Sequence, residues 1–144
     1  MDLPDSQLSA SSYYDQTVAA DDSRLNALKA WSPSVTTNQY IQADLGELKQ
    51  ITAVATQGRT MLDQHVEHWV TSYTISHSTD DSTYDAIQST FDANSDINSI
   101  VENSIVPAVN ARYVRLYPQT WNGHPSLRWE IYGCDHTTSG RVYR

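Results

Sequence analysis

The segment between Ala111 and Cys134 restricts the fold most, because it contains two stretches of alternating polarity separated by turn residues. Large apolar residues occupy every second position, at 114 and 116 and again at 127, 129 and 131. A period of two is typical of a strand that buries one face. The connection contains Pro118, Asn122-Gly123 and Pro125, which favour turns. The pattern predicts two paired strands, forming a closing hairpin, whose exposed loop carries Trp121 and His124.

Five other segments show strand patterns, and polar turns separate them. The predicted strands cover residues 40–45, 51–56, 69–77, 84–89, 99–105, 111–117 and 127–132. The turn Asp80-Asp81-Ser82 predicts a hairpin between the third and fourth of these. We find no internal repeat and no helix longer than a turn or two. Many short strands separated by turns indicate an all-β sandwich or barrel.

Length and charge restrict the function. A chain of 144 residues is one ordinary domain, and its net charge of -8 disfavours nucleic acid, because phosphate binding relies on clustered Lys and Arg. The same charge counts against strong attraction to anionic membranes. No apolar run approaches membrane-spanning length. Residues 1–15 show no signal-peptide pattern, so we expect a domain excised from a longer, extracellular precursor.

The residues that could carry catalysis do not form a known motif. His65 and His68 lie near Asp63 and Glu67, but their spacing differs from the helical H-E-x-x-H arrangement of zinc enzymes. There is no G-x-S-x-G nucleophile motif and no Gly-rich phosphate loop. Cys134 follows a predicted strand rather than opening a helix. We therefore expect a chain that binds a ligand and is not an enzyme.

Several motifs resemble the discoidin family, also called the coagulation factor 5/8 C-terminal domain. They are N-Q-Y-I-Q-A-D-L-G at 38–46, Q-G-R at 57–59, W-V-T-S-Y at 69–73, and P-x-x-W-N-G-H followed by S-L-R-x-E-x-Y-G-C from 118 onwards. The match spans about nine-tenths of the chain. The resemblance implies an eight-stranded antiparallel jelly-roll β-sandwich of the galactose-binding-like kind. It places the domain at residues 1–135 and leaves a flexible tail at 136–144.

The resemblance also implies where a ligand binds. Three loops or spikes form the binding end of the family, here residues 12–23, 26–30 and 59–68, and the loop at 121–125 lies at the same end. The residues we expect to contact a ligand are Tyr13, Tyr14, Arg59, Met61, Leu62, Asp63, His65, His68, Asn122 and His124. A sugar needs clustered donors and acceptors and a flat apolar face. The leading hypothesis is therefore lectin-like adhesion through cell-surface or matrix glycans.

Two other partner classes stay open. Membrane-binding relatives carry apolar spike tips above a basic ring, and here Met61-Leu62 and Tyr13-Tyr14 supply tips for a phosphatidylserine membrane. The acidic loops instead favour an extracellular protein with a basic surface. Calcium is disfavoured, because the Asp-Gly turn of sugar-binding relatives is absent. Asp21 and Asp22 are the alternative oxygen ligands.

The remaining conspicuous residues receive structural interpretations. Arg128 and Glu130 lie on a predicted closing strand and are expected to be packed, as are the indoles of Trp31, Trp121 and Trp129. Family members commonly join a cysteine near the domain start to the one matching Cys134, but this chain has a single cysteine. No N-x-S/T acceptor for an N-linked glycan is present.

Overall fold

The computed structural model describes residues 7–20, 23–59 and 67–135. Its strands are β1 (Leu8–Ala10), β2 (Ile41–Gln57), β3 (Trp69–Ser78), β4 (Asp85–Ala86), β5 (Phe91–Asp92), β6 (Val101–Asn122) and β7 (Arg128–Asp135). One turn of 3-10 helix, Gln16–Val18, precedes β2. Every strand pairing is antiparallel. The predicted all-β antiparallel sandwich is confirmed.

Two long strands connect the layers of the sandwich. The first part of β2 pairs with β1 and with the end of β6, whereas its second part pairs with β7 and with the start of β6. The register of β2 shifts between Asp44 and Lys49, where Gly46 adopts a φ of 83°. Such irregularities bend a strand. The segments predicted separately at 40–45 and 51–56 are therefore one strand, and so are those at 99–105 and 111–117.

The expected closing hairpin is wrong. Among the described strands, β6 pairs with β2 and β3, and β7 pairs with β2, so the strands on either side of the 122–127 connection are not neighbours. The prediction of a single buried face also fails for β7, because Arg128 and Glu130 are buried together with Leu127, Trp129 and Ile131. The alternation in the sequence marks one face correctly, but β7 is covered on both. The packed role expected for Arg128 and Glu130 is confirmed.

The other predicted strands differ from the observed strands mainly in length. The hairpin around Asp80 is confirmed, since the carboxylate of Asp80 accepts hydrogen bonds from the backbone amides of Ser82 and Thr83. The strand predicted at 84–89 is reduced to β4, and β1 and β5 were not predicted. Short edge strands with few large apolar residues carry little periodic signal.

The core lies between the two layers and is built around large side chains. Trp31 and Trp129 are fully buried, as expected, and so are Tyr73, Ile41 and Leu116. Burial raises the pKa of Tyr73 to about 12. Trp121 differs from the other two indoles of the packing prediction, because it is only partly buried. Cys134 is a free cysteine on β7.

Candidate functional site

A polar cavity of about 420 Å³ opens between the connections at one end of the sandwich. Three parts of the chain form it: the long connection from β1 to β2, the junction of β2 with β3, and the connection from β6 to β7. The lining residues are Tyr14, Asp15, Thr17, Ser32, Arg59, His68 and His124. They include one aromatic ring, one carboxylate, one guanidinium, two imidazoles and two hydroxyls. The cavity therefore gathers donors, acceptors and a flat apolar surface in one place.

Backbone hydrogen bonds hold the first wall of this cavity. The amide of Tyr14 donates to the carbonyl of Ser32 at 2.8 Å, and the amide of Ser32 donates to the carbonyl of Val18 at 2.9 Å. Val18 is buried and anchors the 3-10 helix to the core. The side chain of Tyr14 is 72% exposed, so its ring projects into solvent from a backbone that is fixed.

Asp15 caps the 3-10 helix and contributes the negative charge of the cavity. Its carboxylate accepts hydrogen bonds from the amide of Thr17 at 2.8 Å and from the hydroxyl of Thr17 at 2.5 Å. These two bonds favour the charged form and lower the pKa of Asp15, and the positive charge of Arg59 lowers it further. Asp15 is thus ionised at neutral pH and faces the guanidinium across the cavity.

Arg59 lies at the end of β2, where a bridge to His68 fixes its backbone. The amide of Arg59 donates to the carbonyl of His68 at 2.9 Å, and Nη1 donates to Oγ of Ser32 at 3.3 Å. The hydroxyls of Ser32 and Ser126 are 2.5 Å apart, so Ser32 is itself held. Burial lowers the pKa of Arg59, and Asp15 opposes this shift. An arginine remains charged under such a shift, so the cavity contains a partly buried permanent cation.

Two imidazoles complete the cavity. The ring centroids of His68 and His124 lie 5.8 Å apart at a tilt of 44°. Nε2 of His124 lies 2.6 Å from the carbonyl oxygen of Pro33 and must donate, because a carbonyl only accepts. Burial lowers the pKa of His68, and the charges of Arg59 and His124 lower it further. His68 is therefore neutral at pH 7.

Nδ1 of His68 is the polar atom in this cavity best placed to receive a ligand. It is buried and has no hydrogen-bond partner among the residues that the structure describes. A buried polar atom of this kind is costly unless something satisfies it. Gly123 packs directly against the same ring: a Cβ at position 123 would lie 2.4 Å from Cδ2 of His68. The imidazole thus has little freedom to rotate away.

Arg128 ties the loops beneath the cavity together. Its side chain is buried, and its guanidinium donates to the carbonyl oxygens of Gly58, Ala27 and Ile97 at 2.8, 2.9 and 2.8 Å. These oxygens belong to three separate connections. Because Gly58 immediately precedes Arg59, the first of these bonds helps to position the guanidinium in the cavity. Burial lowers the pKa of Arg128 as well.

The structure brings together four of the residues predicted from the sequence and places two others elsewhere. Tyr14, Arg59, His68 and His124 line the cavity. Tyr13 accepts a hydrogen bond from Gln16 at its hydroxyl, and the amide of Asn122 donates to the carbonyl of Glu67 at 2.7 Å. Neither of these two lines the cavity. Four further predicted residues lie outside the described residues: Met61, Leu62, Asp63 and His65.

Three lining residues were missed. Asp15 and Thr17 have the D-x-T spacing of a capping pair, which is a signal for a local turn and not for a binding site. Ser32 has no sequence signal at all, since it reaches Arg59 only through the folding of the long β1–β2 connection.

No metal site is evident in the part of the chain that is described. Within residues 7–20, 23–59 and 67–135, no three His, Cys, Asp or Glu side chains are grouped so that they could hold an ion. Asp21 and Asp22, the alternative calcium ligands, lie outside these ranges. Over the same ranges, no helix has the length and apolar character needed to span a bilayer.

Together, the strands and their connections define a β-sandwich domain with a polar cavity among its loops. The sequence model of the F5/8 type C domain matches residues 7–131. The chain therefore belongs to the F5/8 type C, or discoidin, domain family. The family resemblance noted in the sequence is confirmed.

Individual relatives agree with this assignment. Discoidin-2 of Dictyostelium discoideum is 40% identical over 115 residues, which cover 78% of this chain and 43% of that protein. Neuropilin-1 of Homo sapiens is 32% identical over 146 residues, covering 94% of this chain and 16% of that protein. The chain thus spans less than half the length of these relatives. The matched relatives are secreted proteins or extracellular ectodomains, in agreement with the expected location.

Solved structures support the fold. Wild-type discoidin II of Dictyostelium discoideum superimposes with a TM-score of 0.79 at 34% identity, covering 88% of this chain and 53% of that chain. CpGH89CBM32-5 of Clostridium perfringens, solved in complex with GalNAc-β-1,3-galactose, gives a TM-score of 0.74 at 18% identity. It covers 90% of this chain and 97% of that one. At this low identity the second likeness bears on the fold alone.

Proposed function

We propose that the chain is a non-catalytic, extracellular glycan-binding module of the lectin type, and that its sugar site is the cavity around Arg59. The observation that carries this proposal is the combination of a fixed guanidinium, a neutral, partly buried imidazole and an exposed tyrosine ring in one cavity of about 420 Å³. A sugar ring offers adjacent hydroxyls for the polar groups and a flat C–H face for the aromatic ring. Each part of the cavity has a counterpart in such a ligand.

The hydrogen-bonding roles follow from the chemistry of each group. Arg59 can only donate and Asp15 can only accept, so this pair suits two hydroxyls on neighbouring carbons. Nδ1 of neutral His68, next to a donating His124, accepts or donates according to its tautomer. Tyr14 provides a ring face that is 72% exposed.

The test is a glycan array run beside liposomes with and without phosphatidylserine. The variants are Arg59→Ala and, as a control with the same loss of charge, Arg112→Ala, which removes an arginine that pairs with Asp44 on the outside of the sandwich. Loss of a charged donor to a ligand lowers affinity by about tenfold or more. We expect this loss in Arg59→Ala and not in Arg112→Ala, with both proteins folded. Glycan binding unchanged by Arg59→Ala would contradict the proposal.

A second candidate, peripheral membrane binding, is favoured by three exposed apolar side chains. Tyr14, Leu28 and Val35 are 72%, 65% and 56% exposed, and the sequence expectation adds Met61-Leu62. Against it stands the net charge of -8. Headgroup attraction fades as salt rises, whereas sugar binding hardly changes. Salt-sensitive liposome binding that survives Arg59→Ala would favour the membrane. If the chain binds neither glycans nor liposomes, a protein partner is favoured.

A further inference from the structure

A second, smaller cavity has a different character from the first. It is a groove of about 230 Å³ between residues 36–39 of the β1–β2 connection and the end of β6, where Tyr117–Gln119 and Trp121 form its other wall. Among the residues that the structure describes, no lining side chain of this groove is charged. Hydroxyl, amide and aromatic groups are the usual components of a site for a neutral polar ligand.

The groove is built on a fixed backbone. The side-chain carbonyl of Gln39 accepts hydrogen bonds from the hydroxyls of Ser11 and Ser12 at 2.8 and 2.5 Å. The amide nitrogen of Gln39 donates to the carbonyl of Thr37 at 2.8 Å. On the opposite wall, the amide of Gln119 donates to the hydroxyl of Thr74 and to the carbonyl of Tyr117. Both walls are therefore held in place without a ligand.

Three polar side chains that make no hydrogen bond to other described residues line this groove. Thr36, Thr37 and Asn38 are exposed, and their side chains make no hydrogen bond to other residues that the structure describes. Trp121 is only partly buried, in contrast to the fully buried Trp31 and Trp129. The groove thus combines an accessible indole with donors and acceptors on the facing loop, which is the combination that a sugar ring requires.

The groove and the cavity around Arg59 are formed by neighbouring parts of the chain. The same two chain segments bound both: residues 32–39 and residues 117–124. The hydrogen bond from His124 to the carbonyl of Pro33, at 2.6 Å, joins these two segments to each other. Thr36 follows Pro33 by three residues and Trp121 precedes His124 by three, and three residues span at most about 10 Å. One oligosaccharide can therefore reach both.

We propose that the groove is a second subsite and that the module recognises a neutral oligosaccharide rather than a single sugar. The terminal sugar occupies the cavity around Arg59, and the following sugars lie along Trp121 and Thr36–Asn38. This inference rests on the proposed glycan-binding function and adds the ligand class. We take the ligand to be neutral because the described lining of the groove carries no charged side chain and because a net charge of -8 repels anionic polysaccharides.

The test compares two probes by calorimetry: GalNAc alone and the neutral tetrasaccharide globotetraose, which ends in GalNAc-β-1,3-galactose. We expect wild type to bind the tetrasaccharide about tenfold more tightly, a gain typical of a few additional net contacts. Trp121→Ala should abolish this gain while leaving GalNAc affinity within about twofold. Thr36→Ala combined with Thr37→Ala removes only exposed hydroxyl and methyl groups and should have the same effect even if Trp121→Ala fails to fold. Thr79→Ala, an exposed threonine elsewhere, is the control.

The outcomes separate the two proposals. Equal affinity of wild type for both probes, or a gain that persists in the folded groove variants, would overturn the second subsite and leave the glycan site intact. Loss of binding to both probes in Arg59→Ala alone is expected if both proposals hold. If wild type binds neither probe, the sugar site itself fails and the second subsite falls with it.

Discussion

Arg128 offers the sharpest test of how the binding end is held together. Its guanidinium is buried, and it donates to three carbonyl oxygens on three connections, those of Gly58, Ala27 and Ile97. Arg128→Met keeps much of the side-chain length and removes all of the donors. The three carbonyls would then be left with no partner from position 128 in a buried setting.

The size of the effect follows from these bonds. A hydrogen bond to a charged group contributes about 1.5–3 kcal/mol, so a simple sum over three gives about 4.5–9 kcal/mol. That sum is too large, because the variant also avoids the desolvation of a buried guanidinium, the same effect that lowers the pKa of Arg128. We expect a loss of about 3–5 kcal/mol, within the range for breaking a buried charged interaction. For a domain of this size, this lowers the Tm by roughly 10–20 °C.

The assay is urea denaturation followed by fluorescence, with a thermal scan alongside. Arg112→Met is the matched control: its guanidinium binds Asp44 at 2.8 and 3.1 Å, but both side chains are partly exposed. A surface pair of this kind contributes little, so the control should lose much less stability. A loss below about 1 kcal/mol in Arg128→Met, or equal losses in the two variants, would refute the view that Arg128 holds the loops.

Two further predictions concern the imidazole of His68. Gly123→Ala forces a side chain onto a φ of 73° and places a Cβ 2.4 Å from Cδ2 of His68. Gly46→Ala meets comparable strain at a φ of 83°, but its Cβ would lie 3.5 Å from Nε2 of Gln7, an ordinary contact. Backbone strain alone should lower the stability of each variant by about 1–2 kcal/mol. Only Gly123→Ala should also weaken glycan binding. Equal glycan affinities of the two variants on the array would contradict this expectation. Because its surroundings lower the pKa of His68 from 6.5, the ring stays neutral above that pH and gains a proton only below it. A ligand that bonds the neutral ring should bind equally at pH 8 and 7 and more weakly at more acid pH, and His68→Asn, which keeps a polar atom in place of Nδ1, should flatten the titration. Identical pH profiles for the two proteins would remove His68 from the contacts.

The sequence predicts the cavity only in part, and the reason lies in the length of its connections. Arg59 ends the Q-G-R motif and His68 directly precedes the W-V-T-S-Y motif, so the family resemblance led us to expect both. Ser32 and Asp15 come from the β1–β2 connection, where no periodic pattern indicates which side chains turn toward Arg59. Long connections take their shape from tertiary hydrogen bonds, such as that from Tyr14 to Ser32. The spacing of residue types along the sequence does not reveal those hydrogen bonds.

The pairing of the last strands shows the same limit. Alternation at 127, 129 and 131 identifies one face of β7 correctly, because side chains of a strand point to opposite sides whatever its neighbours are. Which strand lies beside β7 is a long-range choice, and the chain pairs it with β2 instead of β6. Once Arg128 and Glu130 are covered as well, the polar face of the strand becomes interior and its charges must find partners there.

The sequence by itself thus determined the all-β class, the family and the end of the domain where loops gather, since these depend on local periodicity and on motifs at fixed spacing. The tertiary structure alone decided that Arg59, Asp15 and Ser32 share a cavity, that Arg128 holds three loops from within, and that Trp121 remains partly exposed beside an uncharged groove. These features depend on which distant segments pack together. Burial and hydrogen bonding between such segments are settled by the whole fold, and no short stretch of residues carries that information.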